Sequence, residues 1–151
     1  MDMKCKNEAQ LISICNWIKR QFHTGSRVIG GATDESDYDY VATLESASEF
    51  CSLIGLETLT EKEAATYVDL RFMSFKYRTS EQSPWLNLIV VMDDIDLQAW
   101  KYATETCKEW VWAGKNLWAT KGARCQLFEA CMNEYYMSVG CPERIIKKEN
   151  K

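Results

Sequence analysis

Val28-Ile-Gly-Gly-Ala-Thr-Asp-Glu-Ser-Asp-Tyr-Asp-Tyr-Val41 joins an apolar segment, a double glycine and two aspartates one residue apart. The pattern predicts a short buried strand over Arg27–Gly30, a glycine turn, and a second strand over Tyr38–Leu44, where Tyr, Val and Thr favour extended chain. Side chains at i and i+2 of a strand share a face, so Asp37 and Asp39 project together while Tyr38 and Tyr40 face the other way. Two adjacent carboxylates repel one another unless a cation lies between them. Such hard oxygen ligands suit Mg²⁺, with Mn²⁺ as the alternative, and water and substrate phosphates complete the shell. Gly30 and Gly31 lack Cβ atoms, so phosphate oxygens can approach their N–H groups. One short segment thus offers a phosphate cradle and a metal anchor. The competing reading of Asp34–Asp37 is a solvated acidic turn, which an isolated Asp-x-Asp would favour. The apolar segment and Gly-Gly ahead of it tip the balance to a site.

Outward from this stretch, Leu11, Ile12, Cys15, Ile18 and Phe22 form an apolar stripe, predicting a helix over Glu8–Phe22 that Gly25 stops. His23 is then a polar residue at a helix end. Ser46–Leu56 predicts a helix, with Ser46 and Glu49 in capping-box spacing, and a short helical piece follows around Glu61–Ala65. Tyr67–Arg78 alternates apolar and polar residues and pairs with Trp85–Met92 as a hairpin, the latter strand central in the sheet because it carries few charges. Asp93, Asp94 and Asp96 suit a turn capping the next helix, Asp96–Trp112, and Gly122–Met137 is the last helix. The order predicts one α+β domain over residues 1–151, a small mixed sheet of about four strands flanked by helices, with a frayed tail from 145.

Composition narrows the function classes. A hydrophobic fraction of 46% with 26% charged residues fits an ordinary globular chain, and no apolar run is long enough to span a bilayer. The start of the chain lacks a signal-peptide apolar core, which predicts a soluble protein of the cytoplasm. A net charge of −4 argues against general duplex DNA binding, but it is compatible with a small phosphorylated ligand held through a metal. The seven cysteines contain no CxxC pair, and the single histidine, His23, has no cysteine beside it. Reduced, mostly buried thiols are expected rather than a zinc site. Trp100 is expected in the core, whereas the helical stripe breaks down around Trp112–Trp118 and leaves aromatic surface for a partner.

Gly-Gly or Gly-Ser followed shortly by Asp-x-Asp in a strand resembles the signature of the polymerase-β-like nucleotidyltransferase superfamily. The chain is also similar to small nucleotidyltransferase-like proteins of bacteriophage genomes. The supporting stretches are Tyr77-Arg78, Leu86-Asn-Leu-Ile-Val-Val91, Trp100-x-x-Ala103-Thr104 and Lys121-x-x-Arg124-x-x-Leu127-Phe128. With Gly30–Val41, these are spread over residues 27 to 132. The resemblance implies a nucleotidyltransferase-like fold, metal on Asp37 and Asp39, triphosphate at Gly30 and Gly31, and transfer of a nucleotidyl group from an NTP to a hydroxyl with release of pyrophosphate. Lys121 and Arg124, one helical turn apart, would meet the phosphates.

Two features depart from the superfamily pattern. The Gly31–Asp37 spacing is shorter than in many members, and a third carboxylate usually sits on a later strand. The equivalent strand here is Leu86–Val91, whose inward polar residue is Asn87, a structural hydrogen-bonder or a ligand contact but not a base. Asp69 is the candidate substitute. Two functions compete. One is a metal-dependent nucleotidyltransferase acting on an RNA end, a protein hydroxyl or a small molecule. The other is a weakly active or inactive nucleotidyltransferase fold of phage origin, which binds a nucleotide or inhibits a host defence protein in the host cytoplasm.

Overall fold

The computed structural model describes residues 7–56, 72–112 and 121–146. Helix α1 spans Glu8–Ile18, and Asn7 caps it by accepting from the Gln10 amide at 2.9 Å. Strand β1 (Phe22–Thr24) leads through Gly25 into a single helical turn, α2 (Ser26–Ile29). Strand β2 (Tyr38–Thr43) is followed at once by α3 (Leu44–Leu53), and the Thr43 hydroxyl caps that helix by accepting from the Ser46 amide. Strands β3 (Phe72–Tyr77) and β4 (Leu86–Val91) precede the long helices α4 (Asp94–Trp112) and α5 (Lys121–Ser138), and a 3-10 turn at Pro142–Arg144 follows.

The four strands form one mixed sheet in the order β1-β2-β4-β3. β2 runs parallel to β4, while β1 and β3 pair antiparallel to their neighbours. The expected hairpin partner of the apolar strand is therefore in place, and β4 is interior with five of its six residues buried. Period-2 alternation divides the sheet into two faces. Tyr40, Ala42, Phe75, Leu88 and Val90 pack against Ile14, Cys15 and Ile18 of α1 and Leu44 and Ala47 of α3. On the other face Val41, Ile89 and Val91 meet Leu97 and Trp100 of α4. α4 and α5 join through Ala99, Ala103, Cys107, Cys131, Met132 and Tyr136. The architecture is mixed α+β with helices on both faces of a four-stranded sheet.

Several local expectations are corrected. Residues 26–29 are helical, not a strand: the Val28 and Ile29 amides both bond to the Gly25 carbonyl at 3.0 Å, which closes a turn. The extended segment lies one step earlier, at Phe22–Thr24, because α1 ends at Ile18 and Phe22 packs against the sheet rather than along the α1 stripe. His23 is accordingly a strand residue, stacked on Tyr40 at 4.5 Å between centroids. α3 begins at Leu44, two residues before the expected capping box, because Thr43 provides the cap. The expected capping of α4 holds, with Asp93 Oδ1 accepting from the Asp96 amide at 3.2 Å. Ile145 and Ile146 pack against the α4–α5 cluster, and Asn133 brackets Ile146 through its amide and carbonyl, so the expected tail is pinned at its start. The helical piece at 61–65, the strand residues 67–71 with Asp69, and Trp118 lie outside the described residues.

Four of the six described cysteines are buried, as expected of core thiols, while Cys141 is half-buried and Cys125 exposed. Trp100 packs against the clusters on both sides of α4, and Trp110 near the end of α4 is exposed. Among the described residues, no helix is long and apolar enough to cross a membrane.

Candidate functional site

The site begins where β1 ends. Thr24 is buried, with its hydroxyl 2.6 Å from that of Thr104 on α4. Thr104 hydrogen-bonds the Trp100 carbonyl at 2.7 Å, so its proton is committed and Thr24 is the donor. This bond fixes the end of the strand against the helix. Gly25 follows with φ +82, a left-handed conformation that favours glycine. A Cβ there would overlap Asp39 Oδ2, so the carboxylate lies directly against the glycine backbone.

From Ile29 the chain loops back to β2. Arg27 organises this loop: Nε and Nη2 donate to the Ser36 carbonyl at 3.0 and 2.8 Å, and Nη2 also reaches the Asp34 carbonyl at 3.0 Å. Its guanidinium lies 3.9 Å from the Tyr38 ring centroid. Gly30 and Gly31 adopt φ +130 and +87 at the start of the loop. Their positive dihedrals make the turn out of α2, a backbone role that glycine meets without strain.

Asp39 is half-buried on the α4 face of the sheet, as the alternation predicted, with Tyr38 and Tyr40 in the opposite cluster. It stands in register with Asn87 on β4, which stands opposite Lys76 on β3. Asn87 Nδ2 donates to Asp39 Oδ1 at 2.9 Å, while Asn87 Oδ1 accepts from the Ser74 hydroxyl. Asn87 is therefore a bridge between strands that orients Asp39. Asp37, just ahead of β2, forms an ion pair with Lys76, Nζ to Oδ2 at 3.0 Å. Burial holds the Asp39 carboxyl above the usual carboxylate range; the Asn87 hydrogen bond opposes this, the charge of Asp37 adds to it, and Lys76 partly offsets it.

Between this edge of the sheet and α5 opens a cleft of about 300 Å³. Thr24, Gly25, Ser26, Ile29 and Asp39 line one side, with Arg124, Cys125, Phe128 and Trp100 opposite. Trp100 and Phe128 form the apolar wall, their centroids 4.9 Å apart. Of the residues expected at a site, the cleft brings together Asp39 and Arg124. Asp37 is paired with Lys76, Asn87 is bonded to Asp39, and Asp37, Asn87, Gly30 and Gly31 are outside the cleft lining. Nothing is described of the Lys121 side chain. Among the described residues, no group of three or more His, Cys, Asp or Glu side chains is gathered.

Sequence reasoning missed Gly25-Ser26 and Lys76. The signal for the first was present: Thr24-Gly25-Ser26 is a glycine-serine pair directly after three residues able to extend. Reading Phe22 as the end of the α1 stripe hid it. Lys76 could not be found without the register that sets it opposite Asn87. Comparison of the chain with family models, with curated proteins and with solved structures finds no match.

Proposed function

We propose that this chain is a metal-dependent nucleotidyltransferase of the polymerase-β-like kind, moving a nucleotidyl group from an NTP to a hydroxyl acceptor. The observation that carries the reading is the packing of Asp39 against Gly25, in a cleft that also holds Ser26 and Arg124. The resemblance asks for Gly-Gly or Gly-Ser followed by Asp-x-Asp in a strand, and the chain offers both. Gly25-Ser26 now replaces Gly30-Gly31 as the better match, because it borders the carboxylate and lengthens the spacing to Asp37.

Asp37 and Asp39 fit a Mg²⁺ ion: both are hard oxygen donors, the charge of Asp37 bears on Asp39, and Asp39 lines the cleft, seated against Gly25 where a Cβ would displace its carboxylate. When bound, the ion would neutralise phosphate charge and stabilise an in-line displacement. The chain's own contribution is positional. Asn87 holds Asp39 through one oxygen, Arg124 supplies positive charge on the far wall, and Trp100 and Phe128 give the cleft its apolar wall.

A second reading, a nucleotidyltransferase fold serving as a binding module toward a host protein, is favoured by one observation. The position that would carry a third carboxylate holds Asn87, whose amide is spent on Asp39 and Ser74. The test is calorimetric titration of each nucleoside triphosphate with Mg²⁺ into the wild type and Asp37→Asn/Asp39→Asn. Binding that needs both metal and aspartates supports the enzyme reading. Absence of binding by every nucleotide rejects it in favour of the binding module.

A further inference from the structure

We infer that Lys76 is a built-in counter-ion of the acidic pair, one that an incoming divalent cation must displace from Asp37. The inference rests on the metal-site reading above. Lys76, Asn87 and Asp39 form one row across β3, β4 and β2. The row alternates in chemistry: a cation, a neutral amide and a carboxylate. Lys76 reaches the start of β2, where its ammonium lies 3.0 Å from Asp37 Oδ2. Asn87 cannot supply negative charge, so this lysine faces two aspartates with no third carboxylate in the row. Its charge opposes at Asp39 the repulsion that the Asp37 charge exerts there.

The pair is weak enough to exchange. The Lys76 side chain is 50% exposed and Asp37 29%, and ion pairs of that exposure contribute little net stability. A divalent cation, carrying twice the charge and binding oxygen directly, can take over Asp37 while the ammonium swings into water. The lysine therefore sets metal affinity: it lowers occupancy at a given cation concentration.

The test uses Mn²⁺ as the probe, titrated without nucleotide and followed by the loss of the free-ion electron paramagnetic resonance signal. Wild type, Lys76→Met, Lys76→Arg and Asp39→Asn are compared at low and high salt. Lys76→Met is expected to bind Mn²⁺ about threefold to tenfold more tightly at low salt, the difference shrinking as salt screens the site. Lys76→Arg keeps the charge and should stay near wild type, while Asp39→Asn should lose binding. Equal affinity in wild type and Lys76→Met, with binding still dependent on Asp39, overturns the role of Lys76 and leaves the metal site standing. No Mn²⁺ binding by any form overturns both. If Lys76→Met fails to fold, Lys76→Gln, closer in polarity, carries the same comparison.

Discussion

Gly25 and Asp39 show how much rests on single side chains at the cleft. An alanine at position 25 would have to hold φ +82 and find room where Asp39 Oδ2 lies. Left-handed strain costs on the order of 1–2 kcal/mol, and the overlap adds a shift of the carboxylate. Gly25→Ala should therefore lower stability by about 2–3 kcal/mol in urea unfolding and, on the metal-site proposal, abolish Mn²⁺ binding even in the folded fraction. Asp39 itself carries a pH signature. Its folded-state pKa is raised, chiefly by burial, so the native state holds its proton more tightly than the unfolded chain does. Stability should fall as pH rises from the ordinary carboxylate range through the raised value. Asp39→Asn removes that part of the slope, so its unfolding midpoint should be less sensitive to pH there and no lower than that of wild type above it.

At the scale of elements, one buried hydroxyl pair ties the first strand to the longest described helix. Thr24 donates to Thr104, which donates to the Trp100 carbonyl, so β1, the α4 backbone and the aromatic wall of the cleft share one chain of bonds. Thr104→Val keeps the shape but leaves the Thr24 hydroxyl without its acceptor, on a residue only 1% exposed. The expected loss is about 1–2 kcal/mol by thermal or urea unfolding. α2 makes a related point. Four residues carry little intrinsic helical stability, so the turn persists because Ile29 is buried against the α4–α5 pair and Arg27 holds the loop beyond it.

Over the whole molecule, the 3-10 turn that follows α5 is clasped back onto the start of α4. Arg144 makes a bidentate pair with Asp93, at 2.6 and 2.7 Å, and reaches Asp96 Oδ1 at 3.2 Å. The same Asp96 oxygen accepts from the Tyr136 hydroxyl at 2.7 Å, so one network joins α4, α5 and the 3-10 turn. Removing Arg144 leaves the nearly buried Asp96 carboxylate short of its cation. Arg144→Met should cost about 2–3 kcal/mol in urea unfolding. The Arg144 guanidinium also holds the Asp93 carboxyl below the usual carboxylate range. Its stabilising contribution is fully present above the ordinary value and lost as pH falls through the lowered one. Acid unfolding of Arg144→Met should therefore lack this step.

What the sequence determined by itself is the longer periodic elements and the polarity of β2, but not β1 or the helical turn at 26–29. Asp39 and Tyr40 had to point to opposite faces because side chains alternate along any strand, and the apolar run at 86–91 had to be interior because it has no polar face to give to water. Asp93 before α4 was legible for the same local reason, since a helix start needs acceptors for its free amides. Only the tertiary structure decided which glycine borders the carboxylate and which cation answers it. Gly25 and Gly30 are equally permissive as residues; the difference is that Thr24 bonds to Thr104 and brings Gly25 under Asp39. Lys76 lies 39 positions from Asp37 in the chain, and only the β3–β4 register sets it beside that carboxylate. Local pattern encodes the direction a side chain takes, whereas the meeting of distant side chains depends on how strands pair and helices pack.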